Sequence, residues 1–298
     1  DYSSKFLSEF CVQKIRGEGG FGCVFEAINN IDRGGYAVKR VAVDEIHIEK
    51  ALREVRAMAK LDHCGIVRYH STWIERPPEG WQHDSDVEML KKIQSAKRRL
   101  DAFSLQMNYS DKSTFIYIQM QLCNFSLADW LNNNRDPSSR HIPRMRSWFK
   151  QMVAVVDYIH DKNIIHRDLK PSNVLFADKD VLKLCDLGIA TERKDDERSR
   201  TTFTRTRIGT ELYMSPEQLS RRPYSSKTDV FSLGLILVEL CIAVSTAQRR
   251  EMFDKFRQGM QTDAIEDSRT AEFVRKLTQA EPNSRPSCRE MLDDFFLA

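Results

Sequence analysis

Apolar and polar positions change their rhythm along the chain, and the change divides it. Up to about residue 43 the apolar residues fall in short segments, "FCVQKI", "CVFEAIN" and "YAVKRVAV", separated by Gly, Asn and Asp. Runs of that length broken by turn formers predict β-strands. Next, "DEIHIEKALREVRAMAKL" places Ile48, Ala51, Leu52, Val55 and Ala59 at helical spacing. "IVRYHSTWIE" and "TFIYIQMQL" predict two more strands, with a polar insertion at about 76–112 between them. The insertion opens as a loop, "RPPEGWQHDSD", and then puts Val87, Leu90, Ile93, Leu100 and Phe103 near one helical stripe, which leaves loop and helix both open there. After residue 124 the pattern turns helical, in "LADWLNNN" and "RMRSWFKQMVAVVDYIHDKN". Two short strand-like pieces follow, "NVLF" and "LKLCDL", then further helices that include 229–243 and 270–280. The expected fold is α+β: a small β-rich lobe with one long helix over 1–122 and a larger helical lobe over 123–298, with a hinge near Gln121 to Asn124.

Composition narrows this picture only a little. The 298 residues are 41% hydrophobic, enough for a real core. Forty-six basic against 43 acidic residues give +3, too even to argue for nucleic acid or membrane by bulk charge. Seven cysteines, at 11, 23, 64, 123, 185, 241 and 288, follow no metal spacing. They predict a reducing compartment and, for most of them, a life as small buried hydrophobes. The apolar run "FSLGLILVELCIAV" is too short to span a bilayer and carries Glu239, so it predicts a buried helix. The chain opens without a secretory signal, and its abrupt ends suggest a domain cut from a longer protein.

"GEGGFGCV", 17–24, holds four glycines in six positions, although glycine is costly in a strand. Gly17, Gly19 and Gly22 fit G-x-G-x-x-G, with Gly20 inside it and Val24 after it. A dinucleotide site needs a helix after such a turn; here a strand-like segment follows, so a hairpin is expected, able to lie over phosphates. No Lys-Ser or Lys-Thr follows, which excludes a Walker loop. A tight hairpin with no ligand explains the glycines equally well on their own. Lys39, in "YAVKRV", needs a partner if it faces inward, and Glu54 on the following helix is the candidate.

"IIHRDLKPSNVLF" decides between these readings. His166, Arg167, Asp168, Lys170 and Asn173 form H-R-D-L-K-x-x-N, and Asp186, Leu187 and Gly188 begin ten residues after Phe176, where Asp-Phe-Gly is expected. With the glycine loop, Lys39 and Glu54 in order before them, the chain resembles a eukaryotic protein kinase over essentially all its length. The resemblance implies a bilobal kinase fold and an ATP- and Mg2+-dependent transferase. Asp168 would accept the substrate hydroxyl proton, and Lys170 would reach the transferring phosphoryl group, the serine/threonine pattern. Asn173 and Asp186 would hold magnesium. Lys39 would grip the α- and β-phosphates, held by Glu54. Gly17, Gly19, Gly20, Gly22, Val24, Ala37 and Leu175 would line the ATP site, with Met120 at the back of the adenine pocket and backbone groups of Gln121 and Cys123 facing adenine. Glu217 would pair with Arg285, and Asp229 would anchor the catalytic loop. Two departures are small: Leu187 replaces Phe, and Ser215 replaces Ala before Pro-Glu.

The Arg- and Thr-rich stretch before Ser215 resembles an activation segment, with Thr204, Thr206 and Thr210 as candidate phosphosites and Arg167 as the phosphate receptor. "REVRAMAKLDHCGIVRYHSTWIE", "IQMQLC" and "YMSPEQL" are similar to the kinases that phosphorylate the alpha subunit of eukaryotic translation initiation factor two and so repress translation under stress. Within them the strings are most similar to the endoplasmic-reticulum stress (PERK) type, with the haem-regulated type as the alternative. That resemblance implies a cytosolic domain whose parent is tethered to the endoplasmic-reticulum membrane. It also implies recruitment of substrate by "TAQRREMFDKFRQGM" and a homodimer through the small lobe. Lys5 and Glu9 match the dimer positions, but their spacing equally allows a local i,i+4 pair. No nucleic-acid partner is expected of this domain. A nucleotide-binding scaffold without catalysis and a dinucleotide oxidoreductase are the rival classes; intact Lys39, Glu54, Asp168, Asn173 and Asp186 oppose the first, and everything after the glycine loop opposes the second.

Overall fold

The computed structural model describes residues 2–19, 22–93, 114–186, 191–192, 211–260, 264–294 and 296–297. The chain forms two units. One comprises 1–62 and 67–123, the other 63–66 and 124–298.

The first unit is a five-stranded antiparallel sheet. Helix α1 (Lys5–Glu9) leads into β1 (Phe10–Gly19), β2 (Gly22–Asn29) and β3 (Gly35–Val43). Helix α2 (Ile48–Ala59), β4 (Tyr69–Glu75), α3 (Trp81–Lys92) and β5 (Thr114–Gln121) complete it, in sheet order β1-β2-β3-β5-β4. Side chains alternate across a strand, so each face needs its own cover. Helix α2 covers one face, where Val55 meets Ile116 and Ile118, with Val43, Leu52 and Met120 packed around them. Helices α1 and α3 cover the other, where Phe6, Met89, Leu90 and Ile93 pack with Phe25, Val38 and Tyr117.

Helix α3 settles the polar insertion as far as residue 93. It begins at Trp81, ahead of the apolar stripe the sequence offers, and buries Met89, Leu90 and Ile93, so this part belongs to the core. Leu100 and Phe103 lie outside the described residues. Asp86 is buried as well. Its two oxygens receive both terminal nitrogens of Arg40, from β3, at 2.8 and 2.6 Å, and Gln82 donates to it at 2.9 Å. The Arg40 guanidinium also lies 5.1 Å from the Phe25 ring. A charge this deep is tolerable only when paired and hydrogen-bonded.

The second unit runs β6 (Phe125–Ser126), α4 (Leu127–Asn133), α5 (Ile142–Asp161), β7 (Ile164–Ile165), β8 (Val174–Asp178), β9 (Val181–Leu184) and β10 (Thr191–Glu192). Then come α6 (Pro216–Leu219), α7 (Lys227–Cys241), α8 (Thr246–Arg257), α9 (Ser268–Leu277) and α10 (Cys288–Asp293). Local sequence fixes several starts. Ser126, Ser215, Ser245 and Ser287 each cap a helix and receive a return bond from Asp129, Gln218, Gln248 and Glu290, a reciprocal capping box. Helix α7 is buried on every side from Thr228 to Leu240, as its unbroken apolar pattern requires. Residues 63–66 join this unit because Leu184 N–H donates to the Gly65 carbonyl at 2.7 Å and Lys183 Nζ to that of Cys64 at 2.7 Å.

All seven cysteines are free thiols. Cys23, Cys123 and Cys288 are buried as expected, but Cys11 and Cys64 are exposed, since they stand on an outer strand and in a loop. Among the described residues no helix is long and apolar enough to cross a membrane.

Candidate active site

The loop from His166 to Asn173 hangs from α7. Asp229, at the start of that helix, accepts the backbone N–H of His166 at 2.8 Å and of Arg167 at 2.9 Å. Its carboxylate also meets His160 Nε2 at 2.8 Å. Burial alone would raise this carboxyl. The His160 hydrogen bond and charge and the His166 amide outweigh it, and the net shift is downward. The anchor holds a strained turn, because Arg167 sits at φ 70°. A non-glycine residue there persists only when its surroundings over-determine it, and such residues gather at functional sites. Gln218 Nε2 adds a bond to the Arg167 carbonyl at 2.9 Å.

The same loop presents Asp168. Lys170 Nζ lies 2.6 Å from Asp168 Oδ2. Asn173 Nδ2 donates to the Asp168 carbonyl at 2.8 Å and to Oδ2 at 3.3 Å. The Asp168 N–H donates to His166 Nδ1 at 3.3 Å, which makes that nitrogen an acceptor. The hydrogen of a neutral imidazole then sits on Nε2, facing the Cys185 carbonyl at 3.2 Å. Asp186 follows at φ 60°, a second strained position two residues beyond β9. Asp168, Lys170, Asn173 and Asp186 thus occur in one unit, within or directly after its small β-elements. Leu175, on β8, is half-buried.

A buried ion pair lies elsewhere in the same unit. Arg285 donates to both oxygens of Glu217 at 2.7 and 2.9 Å and to the carbonyls of Gln279, Ala280 and Lys227. Burial pushes the Glu217 carboxyl up, but the Arg285 bonds and charge push it further down. The expected Glu217–Arg285 pair and the Asp229 anchor are both present in the geometry.

The glycine hairpin belongs to the first unit, with Gly17 opposite Val24 and Gly19 opposite Gly22; Gly20 lies outside the described residues. The two outer glycines differ. Gly22 has φ 112°, and a Cβ there would meet the Arg40 carbonyl oxygen at 2.0 Å, so the fold itself demands it. Among the described residues, nothing lies within 4 Å of a Cβ added at Gly17. The chain's own packing does not require that glycine. Lys39 stands opposite Val24 on one side and Ile118 on the other. By the strand alternation it shares a face with Val43, the face that α2 covers, and α2 carries Glu54. The Glu54 side chain lies outside the described set. Ala37 pairs with Met120, and Gln121 ends β5 just before Cys123.

One expectation takes a different form. Phe253 and Phe256 of α8 are core residues, 0% and 4% exposed, and Arg257 binds the carbonyls of Met214, Glu211 and Leu212. Phe253 and Phe256 therefore do not form a docking face, whereas Met252 is half-buried. Lys5 and Glu9 form the local pair at 3.8 Å, with Lys5 over the Trp73 ring. Thr204, Thr206 and Thr210, like Leu187, lie outside the described residues. The sequence reading missed one cluster: Glu239, deep in α7, is bound by the Tyr213 hydroxyl and paired with Arg249. An acidic residue inside an apolar run was its signal.

Comparison with known proteins places these geometries among relatives. The family model described as "Protein kinase domain" matches residues 10–297. The interferon-induced, double-stranded RNA-activated protein kinase of Rattus norvegicus is 37% identical over 97% of this chain and 52% of its own length. Eukaryotic translation initiation factor 2-alpha kinase pek-1 of Caenorhabditis elegans is 27% identical over 99% of this chain and 45% of its own. The eIF-2-alpha kinase GCN2 of Schizosaccharomyces pombe is 28% identical over 97% and 23%. The chain spans about half the length, or less, of these curated relatives.

Proposed function

The chain belongs to the protein kinase domain family, and from that membership we propose that it is a serine/threonine kinase that transfers the γ-phosphoryl group of ATP to the alpha subunit of translation initiation factor two, repressing translation under stress. One observation carries the chemistry: a carboxylate, Asp168, held between Lys170 and Asn173 on a strained loop that Asp229 anchors. In this reading the acceptor hydroxyl gives its proton to Asp168 as its oxygen bonds phosphorus and the bridging oxygen of ADP leaves. Lys170 lies beside the same carboxylate, placed to meet the charge of the phosphoryl group. Lys39, oriented by Glu54, holds the α- and β-phosphates beneath the glycine hairpin, where Gly17 leaves room for them.

Asp186 and Asn173 would hold magnesium. The residues fit, because Asn173 commits its amide nitrogen to Asp168 and keeps Oδ1 as an oxygen donor, the type hard cations take. When bound, the ion neutralises charge on the phosphate oxygens.

The narrower form of the proposal is a PERK-type kinase, working in the cytosol from a parent tethered to the endoplasmic-reticulum membrane. The quoted strings favour it, while the higher overall identity favours the double-stranded RNA-activated type. The parent transcript separates them: a membrane span supports the first, RNA-binding modules the second. Phosphorylation at Thr204 or Thr206 orders the activation segment through Arg167, whose Nε is buried with no acceptor among the described residues. Unchanged turnover in a Thr204→Ala, Thr206→Ala variant would rule this out. A homodimer through the small lobe is part of the same proposal; sedimentation showing monomer at high concentration would remove it, since Lys5 and Glu9 already satisfy each other. The reaction itself is tested by labelled phosphate transfer to the purified alpha subunit, with Asp186→Asn as the inactive control.

A further inference from the structure

The peptide that joins Arg167 to Asp168 is gripped at both ends. Its N–H, that of Asp168, donates to His166 Nδ1 at 3.3 Å. Its carbonyl, that of Arg167, accepts Gln218 Nε2 at 2.9 Å. The second bond is the better formed, since N–H···O distances cluster at about 2.9–3.0 Å. This peptide needs holding, because Arg167 sits at φ 70°, a conformation that its side chain disfavours. A peptide is planar, so turning this one re-aims the residue that follows it, Asp168. Gln218 is itself fixed from behind. It is the third residue of α6, and its Oε1 accepts the Ser215 N–H at 3.1 Å in the capping box. A backbone N–H can only donate and a carbonyl can only accept, so these two partners decide which way round the amide lies. Ser215, where the resemblance expects Ala, is tied in turn to α7 through the Thr228 hydroxyl.

We propose that Gln218 is a positioning residue for phosphoryl transfer: its amide N–H holds the Arg167 carbonyl and so aims the Asp168 carboxylate. The inference rests on the reading of Asp168 as the acceptor of the substrate proton. The cap alone does not call for glutamine, because a capping box takes Glu or Gln at this position. Glutamine is required only where the same side chain must also donate, as it does here to the loop. Asp229 holds the Arg167 N–H at 2.9 Å, on the other side of the strained residue. The turn is therefore fastened by two side chains, one from α7 and one from α6.

Gln218→Glu separates the two roles, since it keeps the cap oxygen and removes the donor. In the full chain its urea midpoint should match wild type, because the capping box survives. Its kcat for phosphate transfer should fall about tenfold or more, with KM for ATP unchanged. The Asp168 N–H should exchange with solvent about tenfold faster, a readout that needs no turnover. Gln218→Lys is the converse, a donor without the cap oxygen. Its urea midpoint should drop while its kcat stays above that of Gln218→Glu. A role in the cap alone predicts the opposite order of kcat, and that order would overturn the proposal. So would a wild-type kcat in Gln218→Glu, or an Asp168 exchange rate that does not change. If the wild-type chain transfers no phosphate, the phosphoryl-transfer reading fails by itself, and the exchange rate alone decides whether Gln218 holds the loop.

Discussion

Asp229 and Glu239 sit at opposite ends of α7, both almost fully buried, yet the fold pushes them in opposite directions. Asp229 falls below the ordinary carboxylate range; Glu239 rises above its own. Burial raises both. At Asp229 a histidine contact and two backbone N–H groups overturn it. At Glu239 burial prevails over Arg249 and the Tyr213 hydroxyl, which only partly offset it. The difference shows that depth alone does not set a buried charge; the donors aimed at it do. One end of the helix is built to hold a charge and, through it, the loop that carries Asp168. The other tolerates a charge beside Arg249.

Breaking the Asp229 end produces the largest effect. Asp229→Ala orphans the buried amides of His166 and Arg167, at about 1–3 kcal/mol each, so urea denaturation should show a loss of about 2–6 kcal/mol. Turnover should fall further than stability explains, because the Arg167 turn relaxes. At the other end, Tyr213→Phe removes one bond to a charged acceptor that keeps Arg249. Urea midpoints should report about 1.5–3 kcal/mol, with the nucleotide affinity unchanged.

The smallest effect is a sign. A carboxyl whose pKa is raised on folding gives stability that is present below its unfolded pKa and lost as pH rises through the folded one. Glu239 is such a group, so wild type should lose ground against Glu239→Gln as pH climbs from about 4.5, the ordinary glutamate value. Asp229 and Glu217 are lowered, so their contributions are present above the ordinary range and vanish only as pH falls through their folded values. Urea midpoints from pH 4.5 to 7 check the first slope. A flat difference between wild type and Glu239→Gln would erase the contrast between the two ends.

These particulars also show what the sequence could carry. Asp168, Lys170 and Asn173 were legible because they converge within one short loop, where spacing alone constrains them. Asp229, Glu217 and Arg285 followed from resemblance, and the geometry pairs each of them. Arg40 and Asp86 were not legible. They meet across 46 positions, and a hydrophobic pattern counts every charge as solvated. The start of α3 was missed for the same reason, since two of its buried residues, Gln82 and Asp86, are polar. Phe253 and Phe256 stand three apart on α8, a core stripe that the surrounding basic residues obscured. Tyr213, Glu239 and Arg249 come from three separate segments, and only the lone glutamate in an apolar run hinted at them.

The central claim is that Asp168, on the loop held by Asp229, serves phosphoryl transfer to the initiation-factor alpha subunit. Transfer of labelled phosphate from ATP and magnesium to that purified subunit, beside a generic basic protein, tests it most directly. The account predicts selective labelling of the alpha subunit, reduced about 10²–10⁴-fold by Asp168→Asn and abolished in the Asp186→Asn control. Labelling that survives Asp168→Asn at full rate, or that never exceeds the generic protein's, would contradict it.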